Sequence, residues 1–456
     1  MPAPTLGSRL RSLWRNDGGL HQHLARAAGG SAVLAVSSKL LMLTTSVVLA
    51  RWMGTEGYGV YAAAMAMVTL LTVPTALGLP TLTVRLLARY RVQGQWPLMR
   101  GFLTRSNQAV LLLSLFITVT GAIVIIAFDD PAEATGLSTY LFALALIPLM
   151  GLSALRSAAL RGLHHVVLGQ LPESLIMPGV FLALIGGWAW ATGNVGTLSP
   201  ETAIMARVIA VAAAFLTGAW LLFRQLPTAL RTVKTRYEVK QWASSAAPLL
   251  FIGGMSVINS QTDVLMLAAI KGHESAGIYQ AAARSAELVA FSLIVINMAI
   301  QPTISQLYAA GEMERLQRMI TLAARGVLFL ALPVALIMVL FGGPIMASVF
   351  GPAYKGGAAC LAILSIGHLI NAGAGSVGQI LNMTGHERDS AFGLAIGALI
   401  NVSLNAALIP SLDITGAALA TCLSLAAWNI ILVLLVQRRL GLDSTAFGLN
   451  GKGKPT

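Results

Sequence analysis

The sequence GTEGYGVY at residues 54–61 returns in a related form as GHESAGIY at residues 272–279. Both copies fit the pattern G-x-E-x-x-G-[VI]-Y, at an offset of 218 residues (272 minus 54). A second pair, Pro80-Thr81 and Pro302-Thr303, repeats at an offset of 222 residues. A fixed offset of about half the chain length predicts an internal duplication, which is common among membrane transporters.

The regions around the two copies are strongly apolar. The chain has 456 residues, of which 56% are hydrophobic and only 10% are charged, whereas a soluble domain carries about 25% charged residues. A membrane-crossing helix needs roughly 20 mainly apolar residues. Twelve stretches meet this need, near residues 31–51, 59–79, 106–128, 139–158, 171–191, 201–223, 244–270, 276–300, 322–350, 357–381, 390–411 and 414–436. We therefore expect an all-α polytopic membrane protein, with joints at Asp129-Asp130-Pro131, Thr192-Gly193-Asn194, Gly351-Pro352 and Asp413–Gly416.

The distribution of basic residues predicts the topology. Of the 30 Lys and Arg residues, 24 fall on the side of the N-terminus and three on the opposite side, at Arg51, Lys271 and Lys355. Cytoplasmic loops are enriched in Lys and Arg, so both termini are expected in the cytoplasm, which requires an even number of spans. The net charge of +13 then follows from topology, and a nucleic-acid partner is not needed to explain it. The tail around residues 9–14 is expected either to lie on the membrane surface or to be disordered.

Because six spans separate the two repeat copies, both halves should cross the membrane in the same direction. Such halves are related by a pseudo-twofold axis along the membrane normal, and substrate binds between them near the midplane. We expect two six-helix lobes around a central cavity. The predicted divisions are a cytoplasmic tail (1–30), an N-lobe (31–223), a basic linker (224–242), a C-lobe (243–436) and a second cytoplasmic tail (437–456).

Charged residues inside spans indicate the functional site, since a charge at the bilayer centre costs at least about 2.5–3.5 kcal/mol. Lys39 in span 1 is expected either to face the substrate or to pair with an acid. In span 8, Gln280, Arg284 and Glu287 share one helix face; the last two could form a structural ion pair or serve the cavity. Arg207 in span 6 could bind substrate or extend its guanidinium to the headgroups.

Span 7 carries a polar stripe of Ser256, Asn259 and Asp263, at spacings of three and four residues. Asp263 could pair with a cation or could bind a proton or sodium ion as a coupling site, and Glu287 is the second acid considered for that role. The surplus of cations, Lys39 and Arg284 above all, favours an anionic headgroup on a lipid tail, because Arg and Lys bind phosphate well in a low dielectric.

No enzyme signature is present in the sequence. G-x-S-x-G, H-E-x-x-H and G-x-x-x-x-G-K-[ST] are all missing, and the two cysteines, Cys360 and Cys422, lie in apolar spans. A non-enzymatic protein without cofactor or metal is therefore expected.

Three stretches resemble a known family. Residues 49–61 (LARWMGTEGYGVY), residues 279–284 (YQAAAR) and residues 399–424 (LINVSLNAALIPSLDITGAALATCLS) are similar to the polysaccharide transporter, or oligosaccharide (O-antigen-type) flippase, family. The resemblance extends over nearly the whole chain and implies the fold of the multidrug/oligosaccharidyl-lipid/polysaccharide exporter superfamily. It also implies that Arg284 stands where such proteins carry a cavity arginine.

The function implied is a flippase that moves undecaprenyl-pyrophosphate-linked oligosaccharides to the outer leaflet of the bacterial inner membrane by alternating access. Arg284, Lys39, Arg207, Asn259 and Gln280 would bind the substrate. The product would be capsule, exopolysaccharide or O-antigen, with a polysaccharide polymerase and export proteins as partners. The alternatives are a cation-coupled multidrug exporter or a peptidoglycan-precursor flippase of the same superfamily, a major-facilitator transporter, and a membrane glycan polymerase or ligase.

Overall fold

The computed structural model describes residues 18–128, 136–193 and 198–448. Within these ranges the regular structure is entirely helical, and ten helices are long and apolar enough to cross a membrane. The predicted joint at Asp129-Asp130-Pro131, the tail segment 9–14 and the last residues from 449 on lie outside the described ranges.

The first half of the chain has the following bounds. Spans 1 and 2 form Gly18–Ala76; the short helix Leu79–Val92 follows; span 3 is Trp96–Phe128; span 4 is Leu137–Leu144 with Leu146–Gly162; span 5 is Val166–Leu171, a π-helical turn Pro172–Ile176 and Met177–Thr192; and span 6 is Pro200–Gln225.

The second half begins after a short linker helix, Ala229–Thr232. Its bounds are Val239–Lys271 (span 7), His273–Ala309 (span 8), Met313–Leu340 with Gly342–Val349 (span 9), a 3₁₀ helix Pro352–Gly357, Ala358–Ala374 with Val377–Met383 (span 10), and Glu387–Leu440 (spans 11 and 12).

The two longest helices each contain two spans. Glu387–Leu440 has 54 residues, about 81 Å of straight helix, against a hydrocarbon core of about 30 Å. Its backbone breaks at Asp413 (φ 53°, ψ −132°), and Gly18–Ala76 breaks at Gly54 (φ 72°, ψ −176°). Counting each as two gives twelve crossings, so the prediction of twelve spans and the predicted joint at Asp413 are confirmed.

Some predicted boundaries were wrong. The first helix begins at Gly18, within the predicted tail 1–30, whereas its apolar span begins at Val33, so the division into tail and N-lobe stays a prediction. Span 9 breaks after Leu340, because Phe341 leaves the helical conformation (φ −114°, ψ 22°). The helix of span 10 is interrupted at Gly375, whose φ of +78° is accessible to glycine and strained for other residues.

The two repeat copies pack against each other at the end of the bundle opposite the N-terminus, which we call the far side. The backbones meet so closely that a Cβ at Gly59 would lie 1.7 Å from the His273 carbonyl oxygen. Reciprocally, a Cβ at Gly277 would lie 2.1 Å from the Thr55 carbonyl oxygen. Two glycines therefore permit a direct backbone contact between the lobes, and the sequence repeat marks the place where they meet.

Further hydrogen bonds close the far side. The buried Tyr354 hydroxyl donates to the carbonyl oxygens of Ala50 and Gly54, at 3.1 and 2.8 Å. Arg51 donates through Nε to the Val349 carbonyl oxygen at 2.7 Å. Each bond joins the end of span 1 to the segment between spans 9 and 10, so the lobes are held together on this side.

The linker attaches to the N-lobe on the opposite side, which we call the basic side. Trp242 donates from Nε1 to the Tyr90 hydroxyl at 3.0 Å and meets the Phe102 ring edge-on at 5.3 Å. Arg100 donates to the Val233 carbonyl oxygen at 2.6 Å. The start of span 7 is thereby fixed to the short helix Leu79–Val92 and to span 3.

Candidate interlobe site

A three-residue ion cluster joins the two lobes. Lys39 in span 1 forms an ion pair with Glu287 in span 8. Arg284, one turn before Glu287, donates from Nη1 to the other carboxylate oxygen, Oε1, at 2.8 Å. Both cations are therefore paired with an acid, and the two lie together between the lobes. Their role in binding substrate stays a prediction.

Gln280 extends this cluster along span 8. With the amide oriented so that its oxygen faces Arg284, that oxygen accepts hydrogen bonds from Nε and Nη2, both at 3.0 Å. The amide orientation that satisfies both groups is the one to prefer. Arg284 is then held by a carboxylate at one edge and by an amide oxygen at the other, which fixes the direction of its guanidinium.

The cluster lies deep in the bundle and is still accessible. Lys39 and Glu287 each lie 15 residues from a far-side glycine, Gly54 and Gly272, or about 22 Å along a helix. The side chains of Lys39, Arg284 and Glu287 nevertheless keep 29%, 25% and 30% of their surface exposed. Charged side chains at such depth normally face the bundle interior or a water-filled cavity, which agrees with their position where the two lobes meet.

Histidine and tyrosine side chains surround the cluster. His368 in span 10 lies within electrostatic range of both Lys39 and Glu287, and its Nδ1 is buried without a hydrogen-bond partner in the described structure. From span 2, Tyr58 lies within electrostatic range of Arg284 and Glu287, and its hydroxyl is 2.5 Å from Ser46 Oγ. Sequence reasoning missed both residues, although a histidine inside an apolar span is itself a signal and Tyr58 lies within the repeat motif at residues 54–61.

Arg207 lies inside the N-lobe. Its guanidinium is 5.3 Å from the centroid of the fully buried Phe181 ring, and its Nε is buried without a partner in the described structure. Its guanidinium therefore lies against an aromatic ring of the N-lobe, and its role in binding substrate or in reaching the headgroups stays a prediction. Phe181 stacks on Tyr61 with ring centroids 6.5 Å apart, and Tyr61 stacks on Tyr58 at the same distance, so an aromatic row links Arg207 to the interlobe cluster.

Asp263 occupies a separate site inside the C-lobe and is only 4% exposed. Its Oδ2 accepts hydrogen bonds from the hydroxyls of Tyr279 and Thr421, both at 2.6 Å. Its Oδ1 accepts from the amides of Asn401 and Asn405, at 3.0 and 2.5 Å. Within the described residues Asp263 has no cationic partner, so the ion-pair reading was wrong, and four neutral donors stabilise the carboxylate.

This C-lobe site joins spans 7, 8, 11 and 12. The two asparagines are four residues apart and therefore share one helix face, a signal that could have identified them from sequence alone. Asn405 Oδ1 and, one turn before Asp263, Asn259 Oδ1 are buried without a hydrogen-bond partner in the described structure. The structure does not bring Asp263 and Asn259 into contact with the Lys39–Glu287 pair, so the predicted residues fall into two sites.

Comparison with known proteins agrees with this architecture. A family model described as "Polysaccharide biosynthesis protein" matches residues 25–308, and a model named MatE matches residues 248–407. A relative from Haloferax volcanii, "Probable flippase AglR", is 31% identical over 180 residues. That match spans 38% of this chain and 37% of the relative.

Solved structures show the same fold at low sequence identity. An inward-facing multidrug resistance transporter of the MATE family and the MOP superfamily superposes with a TM-score of 0.70 at 14% identity, covering 90% of this chain and 98% of that one. The lipid II flippase MurJ, in an inward closed conformation, gives 0.64 at 14% identity, covering 89% and 87%. The protein described here thus has the two-lobe fold of the transporters in that superfamily.

Proposed function

Since the chain belongs to the polysaccharide biosynthesis protein family, a group of multi-pass membrane proteins with a transporter fold, we propose that it is a flippase for lipid-linked oligosaccharides. Its substrate would be an undecaprenyl-pyrophosphate-linked glycan unit, moved from the inner to the outer leaflet of the bacterial cytoplasmic membrane. No chemical step is part of this proposal, because the protein would bind, reorient and release an intact substrate.

The observation that carries the proposal is the accessible cluster of Lys39 and Arg284 between the lobes. A pyrophosphate brings two phosphoryl groups, and the guanidinium of Arg284 can bind one of them through paired N–H donors. Lys39, from the opposite lobe, would bind the second. Gln280 would orient Arg284, and Arg207 and Asn259 remain proposed contacts for the glycan farther from the ion cluster.

The closed far side supports a mechanism of alternating access. With the repeat glycines in contact and Tyr354 bonded to the end of span 1, substrate would enter from the basic side, which we propose is the cytoplasmic side. Rigid-body rocking of two lobes around a central site is the general mechanism for transporters of this design.

We further propose that Asp263 is the coupling site for a proton or a sodium ion. An intramembrane carboxylate surrounded by neutral groups can bind either cation. The unpaired Oδ1 of Asn405 adds a second oxygen beside it, and hard cations prefer oxygen ligands. The four donors that now bind Asp263 come from spans 8, 11 and 12, so a cation that replaces some of them would change the packing of the C-lobe.

The test is genetic complementation with quantitative mass spectrometry. Deletion of the gene in its host should cause complete repeat units to accumulate on the lipid carrier, with loss of surface polymer. Arg284→Gln should fail to restore transport, with a loss of roughly 10–100-fold in substrate affinity if one charge-assisted contact is removed. Arg315→Gln is the matched control, because Arg315 has the same i,i+3 type of ion pair, with Glu312 at 2.7 Å, but is 76% exposed.

The result also separates the alternatives. Unchanged lipid-linked pools in the deletion strain would refute the glycan substrate and favour drug export. Accumulation must be paired with a leaflet-accessibility assay of the lipid-linked unit. Retention in the inner leaflet identifies a flippase, whereas exposure in the outer leaflet without polymer identifies a polymerase or ligase.

A further inference from the structure

Glu287 holds both cations that the proposed function assigns to the substrate. Its Oε1 accepts from Arg284 at 2.8 Å, and its Oε2 is paired with Lys39. A carboxylate has two oxygens with a charge distribution like that of a phosphoryl edge, so Glu287 fills the anion position between the two lobes. A substrate pyrophosphate cannot bind these cations until Glu287 releases at least one of them.

The same carboxylate is also a mechanical link. Among the described residues, Lys39–Glu287 is the ion pair that crosses from the N-lobe to the C-lobe. The other ion pairs, including Arg284–Glu287 and Arg439–Asp389, stay within the C-lobe, except that Arg236–Glu238 lies in the linker. Release of Lys39 therefore removes the one described interlobe ion pair. Binding of an anion and separation of the lobes at this depth are then coupled events.

We propose that Glu287 is an internal counter-ion that the substrate displaces, and that this displacement breaks the Lys39–Glu287 bridge and so releases the lobes to move. This inference rests on the proposed function. In the absence of substrate the bridge keeps the lobes together near mid-membrane and offsets part of the charge of the two cations. In its presence the pyrophosphate takes over both cations, and binding of this anion starts the conformational change.

The surroundings of Glu287 fit this role. The groups that face it are Lys39 from span 1, Tyr58 from span 2, Arg284 from its own helix and His368 from span 10. His368 lies within electrostatic range of Glu287 and has a buried Nδ1 without a partner in the described structure, so it adds an unused hydrogen-bonding atom to the surroundings of the displaced carboxylate. The displaced acid therefore has a polar neighbour inside the protein.

The first experiment measures binding to the purified full-length protein in detergent, with farnesyl pyrophosphate as the lipid probe and inorganic pyrophosphate as the headgroup alone. Glu287→Gln removes the competing charge and keeps the side-chain shape. We expect it to bind farnesyl pyrophosphate tighter than wild type by on the order of tenfold, whereas Arg284→Gln and Lys39→Gln bind more weakly. A matching gain with inorganic pyrophosphate would show that the headgroup alone displaces Glu287; a gain restricted to the farnesyl probe would show that the tail is required as well.

The second experiment measures the distance between the lobes. Spin labels are placed at Gln93→Cys and Ala310→Cys, two exposed positions at basic-side turns of the two lobes, with Cys360→Ala and Cys422→Ala as background. We expect farnesyl pyrophosphate to change the distance distribution of the wild-type background. Glu287→Gln without probe should already show the distribution of the bound state, and thermal unfolding of each variant verifies that it is folded.

The outcomes are distinguishable. If Arg284→Gln weakens binding but Glu287→Gln binds like wild type and keeps the unbound distance distribution, the counter-ion inference is wrong and the proposed function stands. If wild type does not bind the probe, or if Arg284→Gln binds it equally well, the proposed function and this inference both fail. Tighter binding together with the shifted distribution in Glu287→Gln supports both.

Discussion

Replacing Gly59 by alanine should open the far side of the bundle. The added Cβ would lie 1.7 Å from the His273 carbonyl oxygen and 2.5 Å from its carbon. Contacts of a Cβ below 3.0 Å are essentially never observed, so the two backbones must separate by roughly 1.3 Å. Both neighbours are main-chain atoms of a helix start, and no side chain can rotate away to make room.

The size of the effect follows from this geometry. Overpacking of a tight contact costs about 1–3 kcal/mol. If this cost falls only on the closed arrangement, the equilibrium constant between closed and open lobes changes by roughly 5–150-fold. The ratio of closed to open protein should fall by this factor, while each lobe keeps its own core.

The assay is cross-linking across the far side. Thr55→Cys and Glu274→Cys replace two residues whose side chains are hydrogen-bonded at 3.2 Å, in a background without Cys360 and Cys422. A short bifunctional thiol reagent should link them rapidly in the parent and more slowly with Gly59→Ala, by up to the same factor. Gly187→Ala is the control, because a Cβ there meets nothing within 4 Å. Equal rates in all three proteins would refute the claim that the repeat glycines close this side.

Three more outcomes are expected. Tyr354→Phe leaves two carbonyl oxygens at the end of span 1 without their donor. It should therefore lower the stability of the closed state by about 1–3 kcal/mol. The same cross-linking reaction measures this effect, and an unchanged rate would contradict it. Trp242→Phe removes the hydrogen bond to the buried Tyr90 hydroxyl and should lower the unfolding temperature in detergent, whereas Trp190→Phe, at a position 88% exposed, should not. Asp263→Asn should abolish the dependence of transport on a proton or sodium gradient in liposomes and leave farnesyl pyrophosphate binding intact; retained gradient dependence would exclude Asp263 as the coupling site.

Much of the fold could be read from the chain because the bilayer imposes simple rules. Each span needs about 20 apolar residues, and the Gly-, Pro- and charge-rich joints separate them, so even the close pair of spans around Asp413 was predicted correctly. The boundary that failed, after Leu340, lies where a helix breaks early. Hydropathy is insensitive to such a break, because it averages over a window longer than the break itself.

The site was only partly predictable. Lys39, Arg284 and Glu287 were evident because charge in an apolar span is expensive. The contact among the three residues could not be predicted, because Lys39 and Glu287 are 248 residues apart in the chain. The partners of Asp263 carry no charge, so the cost of a buried charge does not mark them; the spacing of Asn401 and Asn405 on one helix face was the available signal.

The sequence by itself determined the membrane class, the number of crossings, the duplication and the excess of buried cations, since all of these are properties of local composition and of repeats along the chain. The tertiary structure alone decided that Glu287 pairs with both Lys39 and Arg284, that Arg207 lies over Phe181 inside the N-lobe, and that Asp263 is bound by four neutral donors. These contacts depend on how the helices rotate and pack against one another. The repeat motif marks where the backbones approach, at Gly59 and His273, but a pattern along the chain does not report which side chains of distant helices then meet.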